Sequence, residues 1–445
     1  MALAPTPNQA LLANISPVGV EGTLASSRAL LASNRWLDSA NRYATDVVGE
    51  ITRNVGPPSN QNTQHLAQYI AVSTLLHCSD GWSFLGRSIN ALLNGDEGTA
   101  LHLAYYAELR AAMSLLATQG IGAFDKRHFL IDGSNSVTAF PERAPTHVFV
   151  WDCVEAWAQT NHAANLLGEI IVPFEIKLSS WASPLGAAPI IRLSGQEWLK
   201  EWGMDLARFK DDRNARNTTS YRPTGLEFSN NGSVETATSF VRSMWSILRP
   251  TGSTGFGNLD KFLLRSLLDL RIKGVYGPAK LGQADHQRIA QAMITHRGGT
   301  VGNAAPVIRN FLLRSISAVE PEILQFSSKQ STTSNDWHLS VISRSALLLR
   351  LATGATRRLF DQAGVQMTET AFWRDALGER KGLWPSGSAP DPMSDLWVDV
   401  EDGLRDFEEF EARDPAERSH YNLSRMFSSS VSELGKFERI PVLNF

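Results

Sequence analysis

The chain has 445 residues, of which 43% are hydrophobic and 20% charged, and its formal net charge is -3. This is an ordinary globular composition at a length where hydrophobic cores divide, so we expect at least two domains. The small net charge excludes a global attraction to nucleic acid or membrane surfaces, so contact with RNA would need a local basic patch. Two cysteines, Cys78 and Cys153, without a CxxC spacing argue against a disulfide scaffold and predict a reducing, cytoplasmic location.

The sequence predicts neither a secretory signal nor a membrane-spanning segment. Its first residues lack a basic region followed by a long apolar run, and no stretch approaches eighteen unbroken apolar residues. We therefore expect no membrane partner.

Residues 1–60 read as an N-terminal arm, with a short helix from Ser26 to Ala44 and a linker-like VGPPSNQNTQ segment. A helix is predicted from Thr63 to Leu76 and another from Thr99 to Thr118. The second has apolar residues on nearly every side, which is typical of a buried helix. It nevertheless contains Glu108 and Arg110, and a buried charge needs a partner.

Short extended segments are predicted between residues 124 and 196. KRHFLID and the start of HVFVWDCVEAW suggest two of them, and LLGEIIVPFEIKLSSW has the clearest β propensity. Ser194 and Glu197 fit a capping box that opens the next helix.

The polar segment from Asp205 to Pro223 (DLARFKDDRNARNTTSYRP) concentrates charges, amides and a phenol. It begins as a helix, and its Asn, Thr and Ser residues predict that regular structure loosens from Asn217 to Ser220. We expect Arg213 or Arg216 to pair with Glu108. We also expect Asp211 or Asp212 to pair with Arg110. A purely structural ion-pair network between two helices is an equally good interpretation.

The rest of the chain is predicted to be helical, because apolar residues recur at intervals of three and four. The predicted helices cover residues 240–248, 259–272, 286–294, 307–316 and 339–352. A surface loop is predicted from Gly378 to Asp395, and the acidic run VEDGLRDFEEFEARD indicates a solvated helix face.

RNTTSY, from Arg216 to Tyr221, resembles the R-N-x-x-x-H signature of HEPN domains, helical bundles found in prokaryotic defence systems, toxins and ribonucleases. The helix around Glu108 is similar to the other core helix of such bundles, and the resemblance covers residues 63–223. It implies that Arg216 binds phosphate, that Asn217 and Tyr221 orient it, and that Glu108 holds Arg216. Tyr221 stands where the family has His, and a phenol with a pKa near 10 is a poor general base at neutral pH.

A second set of residues is Asp152 with Glu175-Ile176-Lys177, which resembles the core of restriction-like nucleases. There, two carboxylates hold Mg²⁺ and a lysine on the same strand assists the attack on phosphate. So short a motif is expected often by chance, and a surface Glu and Lys flanking a half-buried strand is the simpler interpretation.

The sequence thus predicts a mainly α protein. An N-terminal arm of residues 1–60 would precede a HEPN-like helical bundle with a small β insertion (61–250) and a second helical domain (251–445). The expected function is a bacterial-type antiviral defence or toxin-like component that contacts RNA and cleaves it, if at all, without a metal or other cofactor. Arg213, Arg110 and Arg222 would bind substrate beside Arg216, Asn217, Tyr221 and Glu108. The alternative is a non-enzymatic helical scaffold for a protein partner, and either form could act as a homodimer.

Overall fold

The computed structural model describes residues 7–53, 60–182, 194–221, 233–276, 287, 290–291, 294–295, 302–314, 319–329 and 336–445. The protein is mainly helical and contains a small three-stranded antiparallel sheet. The predicted fold class, a helical bundle with a few short strands, is confirmed at this level.

Twenty α-helices are found among the described residues. The first ten are α1 (Pro7–Leu12), α2 (Val18–Leu31), α3 (Val47–Arg53), α4 (Asn60–Leu93), α5 (Glu97–Ala117), α6 (Thr146–Ala158), α7 (Asn161–Ile170), α8 (Leu178–Ala182), α9 (Gly195–Glu201) and α10 (Leu206–Tyr221). The others are α11 (Val234–Ile247), α12 (Gly257–Tyr276), α13 (Ala305–Leu312), α14 (Glu322–Ser327), α15 (Trp337–Gln362), α16 (Ala371–Arg380), α17 (Leu396–Glu411), α18 (His420–Met426), α19 (Ser428–Leu434) and α20 (Arg439–Asn444).

The core is organised around three long helices, α4, α5 and α15, each of which packs against the other two. Their contact surfaces are apolar but joined by short polar side chains. Ser114 on α5 donates to the carbonyl oxygen of Thr74 on α4 at 2.7 Å, and Trp82 on α4 donates to Thr353 on α15 at 3.0 Å. These bonds satisfy polar groups that would otherwise be costly to bury.

Helix α15 is the most deeply buried element, since every residue from Trp337 to Thr353 is buried. It nevertheless contains two fully buried arginines. Arg350 donates to both carboxylate oxygens of Asp260 on α12, at 3.0 and 2.8 Å, and to the carbonyl oxygen of Ile170 at the end of α7. Arg344 is paired in the same way with α10, so α15 binds surrounding helices through charge as well as apolar contact.

The sheet is a meander of β1 (Ile121–Phe124), β2 (Arg127–Ile131) and β3 (Val137–Ala139), in the order β1-β2-β3. In the first hairpin Phe124 lies opposite Arg127, which leaves a two-residue turn at Asp125 and Lys126. Asp125 has a φ of 45°, a left-handed conformation that Asp tolerates better than most residues. Three residues separate the end of α5 at Ala117 from the start of β1 at Ile121.

Several predicted elements are confirmed. Helix α5 covers the predicted segment from Thr99 to Thr118 within two residues, and β2 lies within KRHFLID. Ser194 and Glu197 form the expected capping box at the start of α9. Most of the acidic run lies on α17. The buried residues of this helix are apolar or glycine, so its acidic side chains are outside the core, as predicted.

Other predicted elements were wrong. The expected helix at Ser26–Ala44 ends at Leu31 as part of α2, and α4 continues to Leu93 instead of ending at Leu76. HVFVWDCVEAW is entirely helical in α6, because the burial of Phe149, Val150 and Trp151 in tertiary contacts outweighs their β propensity. Helix α10 continues to Tyr221, so its backbone does not loosen at Asn217. The helix expected at 286–294 lies mostly outside the described residues.

In the part of the chain that the structure describes, no helix is both long and apolar enough to cross a membrane. The domain boundary near residue 250 stays a prediction, although α15 from the C-terminal region packs directly on α4 and α5.

A close backbone approach holds the C-terminal region against α4. A Cβ atom on Gly86 of α4 would overlap the carbonyl oxygen of Gly435, which follows α19, and would lie 3.1 Å from the amide nitrogen of Phe437. We expect Gly86→Ala to destabilise the protein by about 1–3 kcal/mol, because backbone cannot move aside as a flexible side chain can. Thermal or urea unfolding measures the change.

Gly133→Ala is the matched control, because no atom lies within 4 Å of a Cβ placed there. Equal unfolding midpoints for the two variants would contradict this packing.

Candidate nucleic-acid interface

Two carboxylates share one arginine beneath the contact between α5 and α10. Arg344 donates to both carboxylate oxygens of Asp212, at 3.0 and 2.6 Å, and its Nε lies 3.8 Å from a carboxylate oxygen of Glu108. All three side chains are completely buried. Among the described residues no donor reaches hydrogen-bonding distance of either Glu108 oxygen. We call Glu108 and Asp212 the buried carboxylate pair.

Arg344 neutralises only one of these two charges. Burial raises the pKa of Asp212 to about 6, although Arg344 opposes the shift. Burial and the neighbouring Asp212 raise the pKa of Glu108 well above its usual value. Because Asp212 takes both hydrogen bonds from Arg344, Glu108 is the member of the pair whose protonated form the fold favours more strongly.

A second group lies around the same helices, and all of its members except the buried Tyr105 are half-buried. Its members are His102, Tyr105 and Tyr106 on α5, His147 at the start of α6, and Arg213 and Arg216 on α10. We call it the aromatic–arginine cluster. The guanidinium of Arg216 lies 5.1 Å from the ring centroid of Tyr105 and 5.6 Å from that of Tyr106, which is the range of a cation–π interaction.

Both histidines of the cluster touch these tyrosines. The rings of His102 and Tyr106 are 5.1 Å apart, and His147 Nδ1 lies 3.1 Å from the Tyr105 hydroxyl. Burial, followed by the charge of Arg216, lowers the pKa of both imidazoles. Burial raises the pKa of Tyr105 to about 12. At neutral pH the cluster therefore consists of neutral rings and arginine charges.

The aromatic surface continues onto α4. Phe84 stacks on Tyr106 with ring centroids 5.5 Å apart, and the guanidinium of Arg87 lies 4.2 Å from the Phe84 ring centroid. Phe84 is half-buried and Arg87 is exposed. Arg87 and Arg216 thus lie at the two ends of a pair of stacked rings that spans α4 and α5.

The structure brings together only some of the predicted site residues. Arg213 and Arg216 belong to the aromatic–arginine cluster, whereas Glu108 lies in the core and has Arg344 as its neighbouring cation. Asn217 is half-buried on α10. Tyr221 is the last residue of α10 and its side chain lies outside the described part, as does all of Arg222.

The partners expected for Arg110 were wrong. Its Nη1 lies 2.8 Å from His77 Nδ1 and 3.7 Å from a carboxylate oxygen of Asp80, both on α4. Asp212 is instead committed to Arg344. Burial and the nearby Arg110 lower the pKa of His77 to about 3, so His77 accepts a hydrogen bond from Arg110 as a neutral ring.

The structural basis of the restriction-like alternative was also wrong. Glu175 closes a 3₁₀ turn, Pro173–Glu175, instead of lying on a strand, and Phe174 and Glu175 both have positive φ angles. Pro173 at the start of this turn cannot donate a sheet hydrogen bond, which favours the turn. Glu175 accepts from the Ser253 amide, Lys177 pairs with Glu169, and Asp152 lies 3.7 Å from Lys210.

Arg344, His102 and His147 were not identified from the sequence. Arg344 carried a usable signal, because a charge inside the apolar run LSVISRSALLLRLATG is the same feature that identified Glu108. The two histidines carried no such signal, since they are separated by 45 positions and meet only through the tyrosines.

Among the described residues no group of His, Cys, Asp and Glu side chains is arranged to hold a metal ion. Comparisons with protein-family models, curated proteins and solved structures find no significant match.

The buried carboxylate pair predicts a pH-dependent stability. A carboxyl group with a raised pKa binds its proton more tightly in the folded state, so stability falls as pH rises from the unfolded pKa towards the folded one. We expect Glu108→Gln, which mimics the protonated form, to match the parent near pH 5 and to be more stable by on the order of 1–3 kcal/mol near pH 8. Urea unfolding across this range measures it.

Glu409→Gln is the control, because Glu409 is an exposed residue paired with Arg413 on the surface. Parallel pH profiles for the parent and Glu108→Gln would show that Glu108 is ionised in the fold.

Proposed function

We propose that the protein is a defence or toxin-like component that contacts RNA through the aromatic–arginine cluster. The observation that supports this most directly is the position of Arg216, whose guanidinium lies beside two tyrosine rings that also contact two histidines. The resemblance of Arg216–Tyr221 to the HEPN signature supplies the biological setting. Buried, unpaired Cys78 and Cys153 are consistent with a cytoplasmic location.

The chemistry of the cluster suits a single-stranded RNA. Guanidinium groups bind phosphate oxygens through planar pairs of N–H donors, and aromatic rings stack on unpaired bases. The run from Arg87 through Phe84 and Tyr106 to Arg216 places a guanidinium at each end of two stacked rings. Such an arrangement binds backbone and bases together without reading a sequence.

RNA cleavage is the secondary part of the proposal. With their pKa values lowered, His102 and His147 can each accept the proton of a ribose 2′-hydroxyl at neutral pH as its oxygen attacks the phosphate. Arg216 would stabilise the negative charge that develops on the non-bridging phosphate oxygens. Protonation of the leaving oxygen would fall to water, because a neutral imidazole is a poor acid.

The alternative is a non-enzymatic scaffold in which α10 is a structural clasp. Burial of Asp212 against Arg344 favours this second function, because it makes α10 part of the core. The two functions differ in the role of the neighbouring arginines of α10, since Arg213 and Arg216 are only half-buried.

Arg216→Lys separates these alternatives. We expect an unchanged unfolding temperature and about three- to tenfold weaker binding of a single-stranded oligoribonucleotide, because Lys keeps the charge and loses the planar fork that stacks on tyrosine. Arg216→Ala should also lower the slope of log affinity against log salt by about one. Fluorescence anisotropy at fixed and varied salt, with thermal unfolding, provides the data.

Arg405→Lys is the matched control, because Arg405 on α17 is 72% exposed and pairs only with surface Asp402 among the described residues. A parent protein that binds no RNA, together with destabilisation by Arg216→Lys, would support the scaffold instead.

Any cleavage should persist in EDTA, since the cluster offers imidazole, phenol and guanidinium groups instead of the carboxylates that bind Mg²⁺. The assay follows a labelled oligoribonucleotide with and without chelator, and with His147→Gln as the variant expected to lose cleavage. Loss of cleavage in EDTA and recovery with Mg²⁺ would contradict this part of the proposal.

A further inference from the structure

A small pocket lies beside the first hairpin of the sheet, between α3 and the turn that joins β1 to β2. Its volume is about 170 Å³. We call it the hairpin pocket. Its charged lining residues are Lys126, Arg127, Arg143 and Asp125, and Phe124 and Ile51 contribute apolar walls. Three cations face one carboxylate there, in a chain whose overall charge is negative.

The cations of the hairpin pocket differ in their contacts with the rest of the protein. Arg127 donates through Nη1 to the carbonyl oxygen of Ile51 at 3.2 Å, which fixes the pocket wall. Lys126 and Arg143 are exposed at its edge, and within the described part of the chain they have no hydrogen-bond or ion-pair partner. Their charges are therefore available to a ligand.

We infer that the hairpin pocket binds a phosphate group. A doubly charged phosphate monoester matches the excess of positive charge, and Arg and Lys are the side chains that recognise phosphate best. The apolar walls of Phe124 and Ile51 would contact the sugar or other carbon atoms attached to that phosphate. The volume accommodates a phosphate with part of its attached group.

The phosphate can come from either of two sources. Thr146 at the start of α6 donates to the carbonyl oxygen of Asp125 at 2.9 Å, and the next residue, His147, belongs to the aromatic–arginine cluster. A phosphate at the end of an RNA strand bound to that cluster is one source, and this source rests on the proposed function. A free phosphorylated small molecule is the other, and it is independent of RNA binding.

Titration with inorganic pyrophosphate, followed by calorimetry at low salt, tests the pocket by itself. We expect saturable binding by the parent and at least about tenfold weaker binding by the double variant Lys126→Ala/Arg143→Ala, because two charged contacts are lost. Both side chains are exposed, so the variant should keep the unfolding temperature of the parent. Arg53→Ala on α3 is the control, since Arg53 is already paired with Asp46 and Glu50.

Oligoribonucleotides that differ only in a 5′-phosphate or 5′-hydroxyl then distinguish the sources. Tighter binding of the phosphorylated strand, lost in the double variant but kept in Arg216→Lys, assigns the pocket to the end of an RNA. Pyrophosphate binding without this preference assigns it to a small molecule, and this result survives even if the protein binds no RNA. Equal pyrophosphate binding by the parent and the double variant, or none by the parent, would overturn the inference.

Discussion

The requirement to neutralise two arginines inside α15 governs how the surrounding helices are placed. Arg344 and Arg350 are completely buried in the low-dielectric core, where an unpaired charge costs several kcal/mol. Asp212 from α10 and Asp260 from α12 meet them with paired hydrogen bonds. These directional bonds fix α10 and α12 relative to α15 more specifically than apolar contact would.

This constraint lets α10 contribute to two groups of residues. Asp212 reaches Arg344 in the core, and Arg216, one helical turn further along α10, lies beside Tyr105 and Tyr106. A single helix thus connects the buried carboxylate pair to the aromatic–arginine cluster. Because the buried contact is rigid, the guanidinium of Arg216 is held near the tyrosines without needing a salt bridge to Glu108.

The surface that we propose for RNA binding is assembled from separate parts of the chain. Helices α4 and α5 supply the stacked rings, α6 supplies His147, and the hairpin pocket lies just beyond the start of α6. Each contribution is modest by itself, and contacts to backbone phosphate add up along a strand. The hairpin pocket is joined to the start of α6 through the hydrogen bond from Thr146 to the carbonyl oxygen of Asp125.

Local patterns were sufficient to determine a large part of the fold. Apolar periodicity indicated the limits of α5, and β propensity indicated the strand in KRHFLID. The apolar surroundings of Glu108 in the sequence indicated that it is buried, and the spacing of Ser194 and Glu197 indicated the capping box. Each of these effects acts over a few residues, so the sequence by itself contains it.

Tertiary structure alone decided which groups meet. Arg344 lies 236 positions from Glu108 and 132 from Asp212, and no local pattern encodes such a pairing. Packing also made HVFVWDC helical, because buried contacts with distant segments outweigh local β propensity. His102 and His147 join one site only because α5 and α6 pack together, so long-range packing created the candidate interface.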